Sequence, residues 1–469
     1  MGGTTEGPLP RTRSLAGFWL SNLSSNIIFG IVNKNVLFWS VVVALGGLLF
    51  GFDTAVISGA EKAIQQLWHL SSWEHGLTMS IALIGTVLGA IFGGIPSDAL
   101  GRRTTLTWIA VLYLVSAVGA ALSPAWVPFM VFRFLGGLGV GASSVTAPLY
   151  ISEVSPPASR GRMVGMFQFN VVFGILLAYL SNYLLKGIGP DAWRWMLGVQ
   201  AVPAIAFFLL LFRIPESPRW LLRHGRTAEA RAIFERIDPA TAEANVATIL
   251  VANAAEQGPG ESLWAPQYRR PVLLAVLFAM FNQLAGINAI IYYAPRIFEL
   301  TGLGQGAALL SSAGIGLVNF CFTLLAVNII DKFGRRKLML VGSVGLIATL
   351  GLVSWAFYSQ QRGMLVPVLL FLYIAFFAFS QGAVIWVFIS EIFPSAVRAK
   401  GQALGSSTHW VLAAAITFVF PVLTEKLGGG NTFAFFCAMM VLQLLYVWKL
   451  MPETKGKTLE EADQVLVLH

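Results

Sequence analysis

The chain has 469 residues, of which 56% are apolar and 11% charged, whereas a soluble domain carries roughly a quarter charged residues. So little charge over such a length excludes an ordinary soluble protein. The formal net charge of +9 does not imply a nucleic-acid partner, because the basic residues sit in short segments between apolar runs, the pattern of membrane topology.

Residues 1–35 carry Arg11 and Arg13 ahead of a mildly apolar stretch that Ser21, Asn22, Ser24, Ser25 and Asn26 interrupt. They read as a cytoplasmic or interfacial extension, with no convincing signal-peptide cleavage site. A bilayer core of about 30 Å needs about 20 residues of helix. Twelve stretches qualify, beginning near Val36, Gly76, Thr104, Trp126, Met163, Ala192, Pro271, Gly306, Leu338, Met364, Gln402 and Thr432. Runs this long and apolar predict helices and exclude a barrel. The expected fold class is an all-α membrane protein.

Six stretches precede and six follow a polar segment, 214–270, that holds Arg223, Arg226, Arg231 and Arg236. Two or three short surface helices are expected in it, with 228–236 and 242–255 the best candidates. The expected units are therefore an N-terminal six-helix bundle (36–213), a cytoplasmic linker (214–270), a C-terminal six-helix bundle (271–452) and a cytoplasmic tail (453–469). With the N-terminus in the cytoplasm, 24 of the 31 Lys and Arg fall on the cytoplasmic side. Lys62, Lys186, Arg194, Arg296, Arg362 and Lys426 fall outside, and Arg133 lies within a helix. Because Lys and Arg resist translocation, this bias predicts both termini inside.

The halves repeat. Asp98-Ala-Leu-Gly101-Arg102-Arg103 recurs as Asp331-Lys-Phe-Gly334-Arg335-Arg336. Ser152-Glu153 with Pro156 and Arg160 recurs as Ser390-Glu391 with Pro394 and Arg398, and Pro215-Glu216-Ser217 as Pro452-Glu453-Thr454. The offsets are 233, 238 and 237 residues, which implies duplicated halves. Two parallel halves with a site between them near the midplane are the architecture of rocking carriers.

Uncharged amides inside apolar runs each offer donor and acceptor without burying charge. They lie at Gln168 in the fifth stretch, Asn282, Gln283 and Asn288 in the seventh, and Asn319 in the eighth. By chemistry alone, amides in bundles often serve only to join helices. Gln283 and Asn288 are about 140° apart around a helix and can share a face only if it bends, which Gly286 permits. Asp53 in the first stretch and Arg133 in the fourth are intramembrane charges, each costing roughly 2.5–3.5 kcal/mol on insertion scales, so an unpaired one would be a liability; a static structural ion pair is the alternative to a proton site. Cys321 and Cys437 lie inside apolar runs and are expected as free packing thiols. No metal-ligand cluster, Walker-type loop or nucleophile with its base is present in the sequence, so no cofactor, metal or enzyme activity is expected.

Further segments are Gly46-Gly-Leu-Leu-Phe-Gly-Phe-Asp53, Arg133-Phe-Leu-Gly-Gly, Pro148 with Tyr150 and Glu153, Pro215-Glu-Ser-Pro-Arg-Trp220, Gln283-Leu-Ala-Gly-Ile-Asn288 and Pro452-Glu-Thr-Lys-Gly456. With these, residues 36–460 resemble the sugar porter family of the major facilitator superfamily. Within it they look most like the bacterial sugar:proton symporters, and more distantly like the facilitative glucose carriers of animals. The resemblance implies two pseudo-symmetric six-helix bundles and a proton-coupled importer of a hexose or pentose in the plasma membrane. Its partners would be a small sugar, protons and the bilayer, with no nucleic acid, and the carrier would be a monomer.

The same resemblance matches Gln168, Gln283, Asn288 and Asn319 to the family's sugar-binding amides and Trp386 to its stacking indole, with Trp410 lining the same cavity. Asn282 stands where the family usually has Gln, and His409 where relatives have an amide. Gln381-Gly382-Ala383 lacks the usual flanking prolines, which predicts a stiffer hinge in the tenth stretch. Asp53 matches the symporters' proton site, paired with Arg133, while Gln200 stands where a symporter of the family is acidic. Glu153 with Arg103 and Arg160, and Glu391 with Arg336 and Arg398, match a cytoplasmic latch between the halves, in the same layer as Asp98 and Asp331. Ala99 replaces an Arg usual there. The alternatives are a facilitative sugar or polyol uniporter and a non-transporting sensor; the 17 residues after Pro452 disfavour the sensor.

Overall fold

The computed structural model describes residues 33–157, 159–255, 262–394 and 397–455, and every regular element among them is helical. The expected N-terminal extension and C-terminal tail lie outside the described residues except at 33–35 and 453–455. The first half comprises α1 (Lys34–Leu67), α2 (Ser72–Phe92), α3 (Gly94–Leu100), α4 (Arg102–Leu122), α5 (Trp126–Val154), α6 (Arg160–Leu185), α7 (Ala192–Gly198) and α8 (Ala201–Leu211). The linker forms α9 (Pro218–Arg223), α10 (Thr227–Ile237) and α11 (Ala242–Ala255). The second half comprises α12 (Arg269–Leu284), α13 (Ile287–Glu299), α14 (Gln305–Phe333), α15 (Arg335–Tyr358), α16 (Leu365–Phe377), α17 (Ala383–Glu391) and α18 (Arg398–Lys449).

Among the described residues, eleven helical stretches are long and apolar enough to span a bilayer, one fewer than the sequence predicts. The difference lies in α18. A straight helix of its 52 residues would run about 78 Å, far more than any bilayer needs. Gly428, at φ 76° and ψ 163°, breaks it into the two expected crossings, and a glycine meets this turn without Cβ strain. The fold is thus twelve spanning segments, six on each side of the linker.

Three other spans are interrupted, among them the sixth, at residues 199–200 between α7 and α8. The seventh is split between α12 and α13 by Gly286, whose φ of 85° and ψ of 14° are left-handed. The tenth is split by a π-helical turn, Ala378–Gly382. That turn lies where the usual prolines are missing and interrupts the regular backbone ladder there.

The start of α1 is tied to the linker. Asn33 caps the helix by accepting from the Asn35 amide at 2.7 Å, and its own amide donates to the carbonyls of Arg236 and Ile237 at 3.0 Å. The opposite end of α1 therefore marks the side away from the linker. The halves meet through α2 on α18, α6 on α14, and α1 on α13. Glycine lets the backbones approach: a Cβ on Gly76 of α2 would sit 2.0 Å from the Phe418 carbonyl oxygen of α18.

Candidate functional site

The break at Gly286 rotates the two parts of the seventh span so that their amides converge. Asn288 donates to the Gln283 carbonyl oxygen at 2.6 Å, and the Gln283 amide donates to Asn282 Oδ1 at 3.0 Å. It also lies 3.1 Å from a ring nitrogen of His409, on α18. Asn282 reaches the Gln381 carbonyl at 3.4 Å, inside the π-helical turn. All three amides are buried. The His409 ring packs between the indoles of Trp386 and Trp410, with centroids 5.0 Å and 4.8 Å away. Trp410 then meets Phe50 of α1 at 5.5 Å, so the cluster sits in the second half and faces the first. Its chemistry is neutral donors and acceptors beside flat apolar faces, with no fixed charge.

Two expected members stand apart. Gln168 is half-buried on α6 and makes no hydrogen bond among the described residues. Asn319, half-buried on α14, accepts at 3.5 Å from Thr323 of its own helix. Behind the cluster a second amide chain buttresses the π-helical turn: Gln381 donates to Gln443 at 2.7 Å, and Gln443 to Ser343 at 2.9 Å.

Asp53 and Arg133 are joined at 2.6 Å between Oδ1 and Nη1, and Arg133 Nη2 also donates to the Asp53 carbonyl at 3.3 Å. Both side chains are 2% exposed, so each charge depends on the other for solvation. Arg133 Nε has no partner. Gln200 is likewise buried, with its Nε2 unpartnered.

On the linker side the acidic residues choose different arginines from those expected. Glu153 takes a two-pronged bond from Arg102, Nε at 3.0 Å and Nη2 at 3.1 Å. Glu391 takes the same from Arg335, at 3.1 Å and 2.7 Å. Arg103 and Arg336 are not the partners, because one helical residue rotates the side chain by about 100°. The Arg103 guanidinium instead lies over Phe212, and that of Arg336 bonds the carbonyls of Val447 and Trp448. Asp98 and Asp331 pair one turn along with Arg102 and Arg335, each at 3.0 Å. Arg160 leaves its Nε unpartnered, and Arg398 donates to the Phe393 carbonyl at 3.1 Å. These Arg–Glu pairs run within each half.

Sequence reading missed two arrangements. Glu216 accepts the amides of Arg102 and Arg103 at 2.9 Å and 3.1 Å, and Glu453 those of Arg335 and Arg336 at 2.9 Å and 3.1 Å. Each carboxylate caps a helix whose own N-cap is a glycine without a side chain, where both the orphan amides and the helix dipole favour an anion. The recurrence of Pro-Glu-Ser and Pro-Glu-Thr was the available signal. The second arrangement is a buried carboxylate on the side away from the linker. Glu61 Oε2 bonds His75 Nε2 at 2.7 Å within the first half and Arg296 Nη1 at 3.3 Å from the second. No spacing pattern announces it, since the partners are 14 and 235 residues away.

Comparison with known proteins places these features in context. The family profile described as "Sugar (and other) transporter" matches residues 39–466. The chain is 38% identical over 441 residues to the arabinose-proton symporter of Bacillus subtilis, covering 92% of this chain and 95% of that one. It is 35% identical over 471 residues to the D-xylose-proton symporter of Escherichia coli K12, covering 92% and 96%. Its structure superposes on the inward-open conformation of the xylose transporter XylE from E. coli with a TM-score of 0.82, at 34% identity, over 92% of this chain and 99% of that one.

Proposed function

The chain belongs to the sugar transporter family as a multi-pass membrane carrier and not an enzyme, and from that premise we propose that it imports a monosaccharide, hexose or pentose, by proton symport and alternating access. The observation that carries this reading is the amide cluster of Asn282, Gln283 and Asn288, held with His409 between two indoles. Amides hold hydroxyls by donating and accepting, and an indole covers the apolar face of a pyranose or furanose ring. Trp386 and Trp410 supply that face, and Gln168 and Asn319 join from the flanking helices once a sugar fills the space.

Asp53 carries the proton. Protonation removes the carboxylate charge that holds Arg133, so the protonated and deprotonated carriers favour different helix arrangements, and coupling needs that difference. The halves 36–213 and 271–452 rock as units. The Arg–Glu pairs around Glu153 and Glu391, with Arg103, Arg160, Arg336 and Arg398 in the same layer, are the groups that latch the cytoplasmic side when the outside opens. The excess of Lys and Arg supports both termini and the linker in the cytoplasm of a plasma-membrane protein. The carrier acts as a monomer with no nucleic-acid partner.

The test is sugar uptake in proteoliposomes. Asp53→Asn should abolish accumulation driven by a proton gradient while counterflow, which needs no gradient, continues. Concentrative uptake persisting in the variant would remove the proton from Asp53. The buried Gln200 amide favours a second reading, facilitative uniport: wild-type counterflow without any response to a pH gradient would select it.

A further inference from the structure

The first span carries a second buried carboxylate that the reading above does not use. Glu61 lies eight residues beyond Asp53 on α1, about 12 Å along the helix at 1.5 Å per residue. It is 2% exposed, and His75 is fully buried. Glu61 Oε2 receives both His75 Nε2 and Arg296 Nη1. The far nitrogen of the ring, Nδ1, is buried without a partner. Arg296 also donates to Gln65 at 2.8 Å. Arg296 follows the irregular turn at Tyr293, whose φ of −119° departs from the helix and whose ring packs against the edge of His75. The other ionisable groups nearby are occupied elsewhere: Lys62 bonds Glu299 at 2.6 Å, Glu74 caps its own helix through Ser71, and Glu425 bonds Ser72.

The contact has an asymmetry that matters. Glu61 and His75 belong to one half and stay together, whereas Arg296 comes from the other half and leaves when the outer side parts. With Arg296 docked and the imidazole neutral, one negative and one positive charge balance, the carboxylate buried and the guanidinium partly exposed. A proton added there does one of two things. On Glu61 it removes the anion that Arg296 holds; on His75 Nδ1 it creates a second cation beside Arg296, with a buried N–H that has no acceptor. Both oppose docking, since an uncompensated buried charge is costly. Proton binding and closure of the outer side therefore work against each other.

We propose that Glu61, together with His75, is a second proton-binding site, which takes a proton from the external water when the halves part and gives it back when Arg296 docks. The inference rests on the alternating-access reading and not on Asp53 being the coupled proton site. The balance is a simple exchange: one O–H or N–H bond forms from hydronium as the salt bridge to Arg296 breaks, and the reverse step returns the proton to water. External acidity thus favours the outward-open carrier.

The experiment measures the spin-label distance between cysteines at Leu67 and Leu300, exposed residues that end α1 and α13, with Cys321 and Cys437 replaced by serine. The full-length carrier is used, and tryptophan quenching by sugar reports that each variant is folded. Asp53→Asn is the reference, so that its proton contributes nothing. In it, the outward-open fraction should rise severalfold between about pH 8 and about pH 5. Adding Glu61→Gln should abolish that response. Arg296→Gln, at a partly exposed position that folding tolerates more readily, should raise the open fraction at both pH values. A pH response that survives Glu61→Gln, or one absent already in Asp53→Asn, would overturn the proposal. Failure of the symport reading looks different: wild-type carrier would show no proton-driven accumulation, whatever the distance does.

Discussion

A single side chain in the seventh span gathers the site. Gln283 is fully buried and bonds Asn282, Asn288 and His409, so truncating it removes a proposed ligand group and also leaves three partners unsatisfied. At about 1 kcal/mol for each lost hydrogen bond, Gln283→Ala should weaken sugar binding tenfold or more, read as a shifted midpoint in tryptophan quenching. His409 extends the same argument. It replaces an expected amide yet lies against Gln283, so the polar lining is preserved with an aromatic ring in place of a flexible chain. That Asn282, Gln283 and Asn288 share the seventh span with a glycine able to bend it was legible in the sequence, whereas their chemistry alone left helix joining open. Arg102 and Arg335 were not legible, because two adjacent arginines look alike until the helix fixes which of them turns toward the glutamate. Glu61 and His75 were invisible for a different reason: each is a lone polar residue whose meaning comes only from a partner on another helix.

At the scale of the helix, the decisive residue is Gly286. The separation of Gln283 and Asn288 demanded a bend, and the left-handed glycine between them provides it. An L-residue there costs roughly 1–2 kcal/mol in backbone conformation, and its Cβ would lie 2.7 Å from a ring carbon of Phe436. Gly286→Ala should therefore turn Asn288 away from Gln283 and reduce counterflow more than it reduces thermal stability; an unaltered sugar midpoint in this variant would separate the bend from recognition. The π-helical turn in the tenth span was beyond sequence reading. Missing prolines remove one cause of a kink but say nothing about a widened turn, which here is braced by the amide chain from Gln381 through Gln443 to Ser343. In α18, by contrast, the residues already separate two crossings, beginning near Gln402 and Thr432, and Gly428 divides them. The triplet at Gly428–Gly430 marks a break in the residues, while continuous helical hydrogen bonding on either side conceals it.

Across the whole molecule, the contacts between the halves are unevenly placed. Lys62–Glu299, Arg296–Glu61 and the near touch of Gly76 on Phe418 all lie on the side away from the linker, whereas the linker-side arginines pair within their own halves. This agrees with the similarity to an inward-open carrier. A methyl group on Gly76 cannot be accommodated without moving the Phe418 backbone, so Gly76→Ala should shift the population toward the outward-open form, measured as faster labelling of an external-side cysteine at Leu67. Equal labelling rates in variant and parent would show that the halves absorb the methyl without parting. The two-bundle plan itself was readable because the duplication leaves landmarks in the same order at nearly one offset. The conformation was not, since the apolar pattern and the repeated landmarks say nothing about which side of the two bundles is closed.

The glutamate caps bear on how the protein is made. Glu216 closes the start of α4 across 114 residues of sequence, and Glu453 closes α15 across 118. During synthesis, each of those helices enters the bilayer with its first amides bare, and it is completed only when the ribosome has passed the last span of the same half. A nascent chain stopped at residue 213 should therefore be degraded faster than one stopped at 225, although both contain the same six spans. The few residues after each bundle are then the signal that the half before them is finished.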